Sequence, residues 1–508
     1  MSPRRKSIED LQDVLSTTHH NLSVVEEEME ELKEPMTSAT HRDPPPPEAA
    51  APDTSEIDIS LRIHEKVASV ASKAYRNASA KSNILVMDKI AGIGLVKFDN
   101  ITVGQLLGKG SFSNVYEITK ISSDDSAAAV AAKKKDNFQS VTYEGAAEND
   151  AHTDTRGFLE ENYERRSSRT FRYAVKYLKD DILSNPNSYA VGTVDLVVEG
   201  MFLASLTHPN IIKVRGLPLG GVDCLLEPNA KGYFLVLDRL FDTLTERIYN
   251  VWQDEHRVDL PSGGGGCLCL PFGKKNSLER QKEKTFLSER LKVAFDISAA
   301  LKFLHSRQII YRDIKPENLG FDIRGDIKLF DLGLVKELHG KNKKKDGNYK
   351  LSMAGTPRYM APEVGKRLRY NLSADVYSFS MLLWEIITMR QPLEDFTYSR
   401  LQNEVFEDGH RPDIKAIRNK NMRELVKLGW DQNASIRPSM DTMYEELKAE
   451  LLLLIGSEQC MDKEFSHDRR RSTHLPNRLS AVNVAQLLRS SDNWDEVKPE
   501  DLKDSRHK

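Results

Sequence analysis

The sequence predicts an α+β fold with a β-rich first part and a mainly helical second part. Between Phe98 and Leu240 the apolar residues alternate or run continuously, as in strands, around one stretch with helical spacing. From Phe286 to Ile455 the spacing of apolar residues is mainly helical. Because 508 residues exceed what one compact core of ordinary size holds, we expect one large two-lobed domain, or two domains, with extra segments.

The composition favours a soluble chain without nucleic-acid or membrane partners. The 73 Lys and Arg nearly balance the 76 Asp and Glu, so no global basic field draws the chain to polyanions. Four cysteines in so long a chain argue against a disulfide framework and favour a reducing intracellular setting. The sequence has neither the apolar core of a signal peptide nor a run of about eighteen apolar residues. We therefore expect no membrane span, and a location in the cytoplasm or the nucleus.

Residues 1–97 are predicted to form an accessory region that is largely disordered. The stretch HRDPPPPEAAAPDTSE is a Pro- and Ala-rich linker without core material. A weaker amphipathic stretch, IDISLRIHEKVASVASKAYRNA, offers an alternative for part of this region, a helix that docks on the main domain. At the other end of the chain, residues 456–508 form a polar tail.

The β-rich part begins at Phe98 and is built around a glycine turn. FDNITVGQLLGKGSFSNVYEITKI predicts two strands joined at Gly-Lys-Gly, RTFRYAVKYLK predicts a third strand, and YFLVLDRL predicts a buried one. Between the last two, VDLVVEGMFLASL has helical spacing. Two polar or glycine-rich stretches, at about 122–169 and 254–284, interrupt this pattern and are predicted to be surface insertions.

The glycine turn LGKGSFSNV fits two interpretations. It matches G-x-G-x-x-G-x-V except that Ser113 replaces the third glycine. A glycine-containing hairpin turn explains the same letters equally well. If the turn is instead a phosphate-binding loop, Gly108 and Gly110 let the backbone approach a triphosphate closely, and Val115 packs on the base.

Lys176 and Glu199 are candidates for an ion pair. Lys176 lies in the apolar strand YAVKYL, where a lysine needs either a charge partner or a route to solvent. Glu199, in the middle of the helical stretch LVVEGMFLASL, is the natural partner. A lysine on an edge strand and a solvated glutamate on a helix are the structural alternatives.

The stretch YRDIKPENLGF, followed by DLG, carries the strongest chemical signal. Phosphoryl transfer needs an acceptor group that orients the attacking hydroxyl, a cation on the migrating group and oxygen ligands for magnesium. Asp313 suits the first role and Lys315 the second. Asn318 and Asp331 suit the third role, because their hard oxygen atoms fit magnesium and do not fit zinc.

Together these motifs resemble those of eukaryotic protein kinases, over residues 98–455. The resemblance implies a bilobal fold, with a small antiparallel sheet and one main helix above a larger helical lobe. It also implies ATP and Mg2+ as cofactors and protein hydroxyls as substrates. GTPRYMAPE is similar to the end of the activation segment, and SADVYSFSMLLWEIIT to the central helix of the large lobe. By the same resemblance Glu363 and Arg437 form a buried ion pair, and Asp375 holds the catalytic-loop backbone.

The resemblance assigns roles to individual residues. It implies that Lys176, held by Glu199, positions the α and β phosphates, and that Leu237 lies at the back of the nucleotide pocket. Catalytic roles fall to Asp313, Lys315, Lys176 and Glu199, and metal binding to Asn318 and Asp331. The nucleotide-binding residues implied in this way are Leu107, Gly108, Lys109, Gly110, Ser111, Phe112, Ser113, Val115, Ala174, Lys176, Leu237, Asp238 and Leu240. Of these, Asp238 and Leu240 would offer backbone groups to adenine.

The substrate class follows from the same resemblance. RDIKPEN, with Lys315 two residues after Asp313, is similar to serine/threonine kinases. Thr356 resembles the threonine that contacts the catalytic aspartate and lysine in those enzymes. The strings DVYSFSMLLWEIIT and RPSM look most like the tyrosine-kinase-like branch. Dual specificity stays open, and a pseudokinase scaffold is the alternative without catalysis.

Besides Ser113, three positions depart from the family pattern. Tyr311 stands where the family has histidine and Leu332 where it has phenylalanine, and both are expected to serve as packing residues. Gly320 stands where the family has a bulky aliphatic residue under the adenine ring. We expect Gly320→Leu to tighten ATP binding, unless neighbouring Leu319 or Phe321 fills the gap.

Regulation is indicated in outline. Arg312, directly before the catalytic aspartate, indicates control by phosphorylation of the activation segment, because an added phosphate pairs with arginine. Ser352 and Tyr349 are the candidate sites, and Thr356 a weaker one, for an activating kinase or for autophosphorylation. The basic run GKNKKKDGNYK in the same segment binds either an acidic group or only water. The oligomeric state is left open.

Overall fold

The computed structural model describes residues 54–85, 93–122, 172–226, 231–258 and 277–461. The predicted insertions and the polar tail lie mostly outside these ranges. The described residues form a sheet-based small lobe followed by a mainly helical large lobe, which confirms the predicted bilobal α+β fold. No helix in the described ranges combines the length and the apolar character needed to cross a membrane.

The small lobe contains one six-stranded sheet. Its strands are β1 (Gly94–Val96), β2 (Ile101–Lys109), β3 (Ser113–Ile121), β4 (Tyr173–Leu178), β5 (Val214–Pro218) and β6 (Phe234–Asp238). They follow the spatial order β1-β5-β6-β4-β3-β2. Neighbouring strands are antiparallel, with one exception: β1 runs parallel to β5, so the sheet is not antiparallel throughout.

Strand register places several predicted nucleotide contacts on one face of this sheet. Val115 lies opposite Lys176, and Lys176 lies opposite Leu235. Ala174 lies opposite Leu237 in the same pair of strands. Because side chains alternate between the two faces, these side chains share one face. The other face packs into its own apolar cluster, formed by Val96, Ile101, Ile118, Tyr173, Val175, Phe234 and Val236.

Three helices accompany the sheet, namely α1 (Thr54–Lys81), α2 (Asp180–Leu183) and α3 (Pro186–Ser205). α3 begins at Pro186, whose fixed φ suits the first turn, and Asn185 caps it by accepting from the Ser188 N–H at 3.0 Å. α1 packs against α3. The disorder expected for residues 1–97 therefore does not extend to this stretch, where the structure has the docked helix that was the alternative.

The large lobe is mainly helical, with short strands beside the cleft. Its strands are β7 (Asp242–Thr243), β8 (Ile309–Ile310), β9 (Leu319–Phe321), β10 (Ile327–Leu329) and β11 (Lys336–Glu337). Its helices are α4 (Leu244–Glu246), α5 (Gln253–Val258), α6 (Ser277–Ser306), α7 (Pro362–Gly365), α8 (Ser373–Thr388), α9 (Tyr398–Arg400), α10 (Lys420–Gly429) and α11 (Met440–Met461). Short π-helical and 3-10 turns lie at Arg247–Trp252, Leu401–Glu407, Phe98–Asn100, Gly221–Leu226, Pro316–Asn318, Gly340–Asn342, Pro357–Tyr359 and Ile414–Ala416.

Strand pairs and one buried helix fix the edge of the cleft. β9 pairs with β10 and β7, and β8 pairs with β11, all antiparallel. α8 is buried along nearly its whole length, as a helix in the centre of a lobe must be. The segment 311–318 connects β8 to β9. It is therefore held at both ends by paired strands, directly beneath the small lobe.

Candidate active site

The glycine turn between β2 and β3 is closed by its own backbone and by one lysine. The Gly110 N–H donates to the Ser113 carbonyl at 2.7 Å. The backbone N–H of Lys179 donates to the Phe112 carbonyl at 3.0 Å, and its Nζ donates to the Ser111 carbonyl at 2.9 Å. Lys179 was not among the predicted residues, because a lysine after a strand gives no distinctive pattern. The remaining predicted residues of the turn lie on the flanking strands, namely Leu107, Gly108, Lys109 and Val115.

Lys176 on β4 and Glu199 on α3 form the predicted ion pair. Lys176 Nζ donates to both Glu199 carboxylate oxygens, at 2.9 and 2.7 Å, and to Asp331 Oδ1 at 3.4 Å. Burial by itself lowers the pKa of Lys176, but the charges of Asp331 and Glu199 outweigh it and raise the pKa above its ordinary value. Lys176 is therefore a fixed cation between two carboxylates, on the sheet face that it shares with Val115 and Ala174.

Asp331 lies where the large lobe meets this ion pair. The Lys176 ammonium holds the pKa of Asp331 below its usual range, against the opposing effect of burial. The Asp331 backbone has a φ of 59°, a left-handed conformation that costs energy in a non-glycine residue and is common at functional sites. The next residue, Leu332, is fully buried, as expected of a packing residue.

Asp313 lies at the centre of a hydrogen-bonded network. Its Oδ1 accepts from the Thr356 N–H at 2.9 Å and from Thr356 Oγ1 at 2.8 Å. Its Oδ2 lies 2.8 Å from Lys315 Nζ and accepts from Asn318 Nδ2 at 2.9 Å. Lys315 Nζ also donates to Thr356 Oγ1 at 2.9 Å. The structure thus brings together the four polar residues that the sequence singled out, and it fixes the orientation of the Asp313 carboxylate.

The segment 311–318 is the predicted catalytic loop, and Asp375, at the start of α8, holds its backbone. Its Oδ2 accepts from the Tyr311 N–H at 2.7 Å and its Oδ1 from the Arg312 N–H at 2.9 Å. Arg312 has a φ of 75°, so these bonds stabilise a strained backbone conformation directly before Asp313. His305 Nε2 lies 2.9 Å from Asp375 Oδ2, a contact that the sequence did not reveal.

Tyr311 does more than fill space. It is buried, as a packing residue should be. Its hydroxyl also donates to the carbonyl of Phe330, the residue before Asp331. The bond links the catalytic loop to the segment directly after β10, which carries Asp331. The expectation of a packing variant was therefore incomplete, because a phenol has a polar end that needs a partner when buried.

Asn318 and Asp331 present oxygen atoms that suit magnesium. Asn318 uses its Nδ2 for the carbonyl and carboxylate of Asp313, both at 2.9 Å, so its amide oxygen is left for another partner. About half of the Asp331 side chain is exposed (49%). Within the described ranges no three His, Cys, Asp or Glu side chains cluster as a protein-only metal cage. Further ligands would be phosphates and water, which is how magnesium is usually bound.

The region around Gly320 differs from its prediction. A Cβ at this position would lie 2.9 Å from Leu240 Cδ1 and 3.1 Å from the Asp242 carbonyl oxygen. The space left by the missing side chain is therefore filled by Leu240 from the connection after β6, and not by Leu319 or Phe321. The expectation that Gly320→Leu tightens ATP binding is wrong on this geometry, since a larger residue would overpack against Leu240 and a backbone oxygen.

The other residues predicted at the adenine end lie along β6 and the connection after it. Leu237 is buried on the same sheet face as Ala174. The Asp238 side chain forms an ion pair with Arg215 at 2.8 Å, and its backbone N–H donates to the Lys213 carbonyl at 3.1 Å. The side chain of Leu240 packs beside Gly320, whereas only its backbone groups were expected to take part.

Two further features implied by the sequence lie in the large lobe. Arg437 donates to both carboxylate oxygens of Glu363, at 2.6 and 2.9 Å. Ser352, in the predicted activation segment, has its Oγ 3.4 Å from Nη1 of Arg312. Tyr349 is buried and exchanges backbone hydrogen bonds with Tyr370. Of the two candidate phosphorylation sites, only Ser352 thus lies beside the arginine.

Comparison with known proteins matches this architecture to one family. The family model described as "Protein tyrosine and serine/threonine kinase" matches residues 155–447, more than half of the chain. The match begins after β3, yet β3 pairs with β4 in one continuous sheet, so the glycine turn and the matched region belong to one lobe.

Curated relatives carry kinase names. The "Dual specificity protein kinase shkB" of Dictyostelium discoideum is 33% identical over 37% of this chain and 29% of its own length. The "Serine/threonine-protein kinase STY17" of Arabidopsis thaliana is 29% identical over 38% of this chain and 33% of its own length. The "Putative mitogen-activated protein kinase kinase kinase 7-like" of Drosophila melanogaster is 34% identical over 30% of this chain and 39% of its own length. The chain thus spans between 29% and 39% of the length of these three relatives.

Proposed function

The chain belongs to the protein tyrosine and serine/threonine kinase family, and from this premise we propose that it is an active, magnesium-dependent protein kinase that phosphorylates serine and threonine. The observation that carries the proposal is the network of Asp313, Lys315 and Thr356. Lys315 donates to both the Asp313 carboxylate and the Thr356 hydroxyl, and Thr356 donates to Asp313. By resemblance, a lysine and a threonine in these positions are features of serine/threonine kinases.

In the proposed reaction the large lobe handles the acceptor. Asp313 accepts a hydrogen bond from the substrate hydroxyl and directs its oxygen at the γ-phosphorus. A bond forms between that oxygen and phosphorus, the bond from phosphorus to the β–γ bridging oxygen breaks, and ADP leaves. The hydroxyl proton passes to Asp313. Lys315, 2.8 Å from this carboxylate, offsets negative charge on the migrating group.

The small lobe holds the nucleotide in the same proposal. Lys176 keeps its charge between Glu199 and Asp331 and contacts the α and β phosphates. Asn318 and Asp331 would hold magnesium, which would supply positive charge that offsets the charge of the phosphates. Ala174, Val115 and the side chain of Leu240 line the space for the base, as their placement on the sheet face and beside Gly320 supports.

Activation by phosphorylation of Ser352 is part of the proposal. Ser352 Oγ lies 3.4 Å from Arg312, the residue before Asp313. A second basic residue, Lys336, lies near Arg312. Burial, together with the charges of Arg312 and Lys81, lowers the pKa of Lys336. A phosphate at Ser352 would pair with Arg312 and hold the activation segment against the catalytic loop. Ser352→Ala is expected to lower the activity of phosphorylated protein, and Ser352→Asp to restore part of it.

Two alternatives differ in what they predict for the acceptor. Dual specificity is favoured by the Dictyostelium relative, which is named a dual specificity protein kinase. A pseudokinase scaffold would bind its partners without transfer, but the complete polar set around Asp313 argues against it.

Labelled ATP separates these possibilities. The full chain is incubated with magnesium, γ-labelled ATP and a generic basic protein, and the labelled product is hydrolysed to phosphoamino acids. We expect phosphoserine and phosphothreonine from the wild type and from Asp326→Asn, a control carboxylate that is half exposed outside the site. We expect no label from Asp313→Asn. An unlabelled wild type supports the scaffold, phosphotyrosine beside the other two supports dual specificity, and label from Asp313→Asn contradicts the assigned site.

A further inference from the structure

The helix that carries Glu199 is buried on every side. Most residues of α3, including charged Glu199 at 3% exposure, are buried. A helix that is apolar all round needs cover on all faces. The β-sheet supplies this cover on one side only. α3 therefore depends on a second element for its burial and its position.

Helical geometry separates the two faces of α3. Added Cβ atoms at Gly192 and Gly200 would meet Leu178 and Leu235 of the sheet, both at 2.8 Å. Glu199 lies on this sheet-facing side, since residues seven and eight positions apart are neighbours on a helix. At 100° per residue, the opposite side is formed by Ala190, Val194, Val197 and Met201, all of them buried.

α1 is the element that covers the outer side. α1 and α3 pack against each other, and the buried residues Val67, Val70, Ala71 and Tyr75 of α1 recur at helical spacing, as on a docked face. A polar contact fixes its position along α3: His64 Nδ1 lies 3.2 Å from the hydroxyl of Tyr189 on α3. The same nitrogen lies 3.0 Å from the Leu225 carbonyl.

The end of α1 is also tied to the activation segment. Ser82 Oγ donates to Glu337 Oε2 at 2.5 Å, and the Asn83 N–H donates to Glu337 Oε1 at 3.0 Å. Glu337 belongs to β11, which pairs with β8 directly before the catalytic loop. One upstream segment thus contacts both elements whose placement decides whether Lys176, Glu199 and Asp331 meet.

We propose that α1 is an intrinsic activating element, which positions Glu199 by covering the outer face of α3. In a kinase the lysine–glutamate pair must be formed for phosphoryl transfer, and the position of this helix controls it. The inference rests on the proposed function. It extends the catalytic unit upstream to α1, outside the matched region 155–447. Detachment of α1 would uncover apolar surface on α3 and leave its orientation under weaker constraint.

A matched pair of substitutions tests this proposal in the full chain. Val67 is fully buried at the contact, whereas Ser69 lies on the exposed side of the same turn. Val67→Glu and Ser69→Glu introduce the same residue, and glutamate is a better helix former than either original residue. A difference between them therefore reports on docking and not on helix formation. We expect Val67→Glu to lower kcat by about tenfold or more, within the range of such couplings, and Ser69→Glu to leave it unchanged.

The Glu199→Gln background distinguishes positioning from general damage. If α1 acts through Glu199, Val67→Glu should cause little further loss of kcat in that background. A loss of the same fold in both backgrounds would indicate a fraction of misfolded protein and would overturn the proposal. Wild-type activity in Val67→Glu would overturn it as well.

Hydrogen exchange of the α3 amides keeps the inference separate from the proposed function. We expect faster exchange in residues 187–205 for Val67→Glu and unchanged exchange for Ser69→Glu. If the wild type transfers no phosphate, the proposed function fails, while exchange still decides whether α1 holds α3. Equal exchange in the two variants would overturn the inference even in an active kinase.

Discussion

Two ion pairs, one in each lobe, are built differently. In the large lobe, Arg437 is fully buried and donates to Glu363 and also to the carbonyls of Asp431 and Ser373, at 2.9 and 3.1 Å. In the small lobe, Lys176 is partly exposed and shares its ammonium between two carboxylates. The first pair has its donors committed to fixed acceptors and serves the scaffold. The second faces the cleft and is assembled from separate elements, so it is the adjustable one.

The largest expected effect on the fold is at Arg437. Arg437→Leu leaves the carboxylate of Glu363 without its cation in a buried site, and we expect a loss of about 3–5 kcal/mol in the free energy of unfolding. Denaturant unfolding of the full chain measures it. The control is Arg400→Leu, which removes an exposed ion pair with Glu404 and should leave the midpoint unchanged. Equal midpoints for the two variants would show that the buried pair is not part of the scaffold.

Lys176→Met should have the opposite profile. We expect the transfer rate to fall by about 10²–10³-fold, because a cation on the phosphates is lost. We expect a smaller shift of the unfolding midpoint than for Arg437→Leu. Burial raises the pKa of Glu199, so this carboxyl can take up a proton when its partner is gone. A midpoint shift as large as that of Arg437→Leu would remove the distinction between the two pairs.

The packing of Leu240 against Gly320, at the boundary between the lobes, can be tested by substitution. Gly320→Leu should weaken ATP binding, with overpacking costs of about 1–3 kcal/mol, because Leu240 already occupies the space. The double substitution with Leu240→Ala should recover most of the loss. Titration of a fluorescent ATP analogue measures both. Gly340→Leu is the control, since a Cβ there meets no neighbour. Tighter binding by Gly320→Leu alone would contradict the packing seen here.

A last expected effect concerns stability in acid, and it arises only below about pH 6.5. Burial, together with Arg307 and Lys328, lowers the pKa of His208 to about 4. Between pH 6.5 and 4 the unfolded chain binds a proton that the folded chain does not. The free energy of unfolding therefore decreases as the pH is lowered, by up to about 1.4 kcal/mol per pH unit. His208 Nδ1 accepts from the Asn210 N–H at 3.1 Å, a bond that asparagine can replace. His208→Asn should flatten the pH dependence of the unfolding midpoint in this window, and an unchanged slope would contradict the assignment.

The catalytic loop could be predicted because its chemistry is local. Asp313, Lys315 and Asn318 lie within six residues, so their spacing alone restricts where their side chains can go. Lys176 and Glu199 lie on different elements, so the sequence named them as candidate partners and left an edge-strand lysine and a solvated glutamate as alternatives. The hydroxyl bond of Tyr311 gave no signal, because its acceptor is the backbone carbonyl of Phe330, 19 residues further along the chain.

Two features depend on tertiary packing and could not be predicted. Leu240 covers Gly320 because of the path that the chain takes after β6, and no spacing rule fixes that path. The amphipathic pattern of α1 offered a docked helix as one alternative, but it did not indicate which surface the helix would cover. That surface is the outer face of α3, which lies on a different part of the chain.

The most direct test of the account is a single-turnover measurement on Asp313→Asn. The rate of phosphate transfer to a serine peptide and the Kd for ATP are measured on the same protein preparation. We predict that the rate falls by about 10²–10⁴-fold, as for loss of a general base, while the Kd for ATP stays within about twofold, because Lys176, Glu199 and Asp331 are untouched. A transfer rate near that of the wild type would contradict the role of Asp313 and, with it, the proposed reaction.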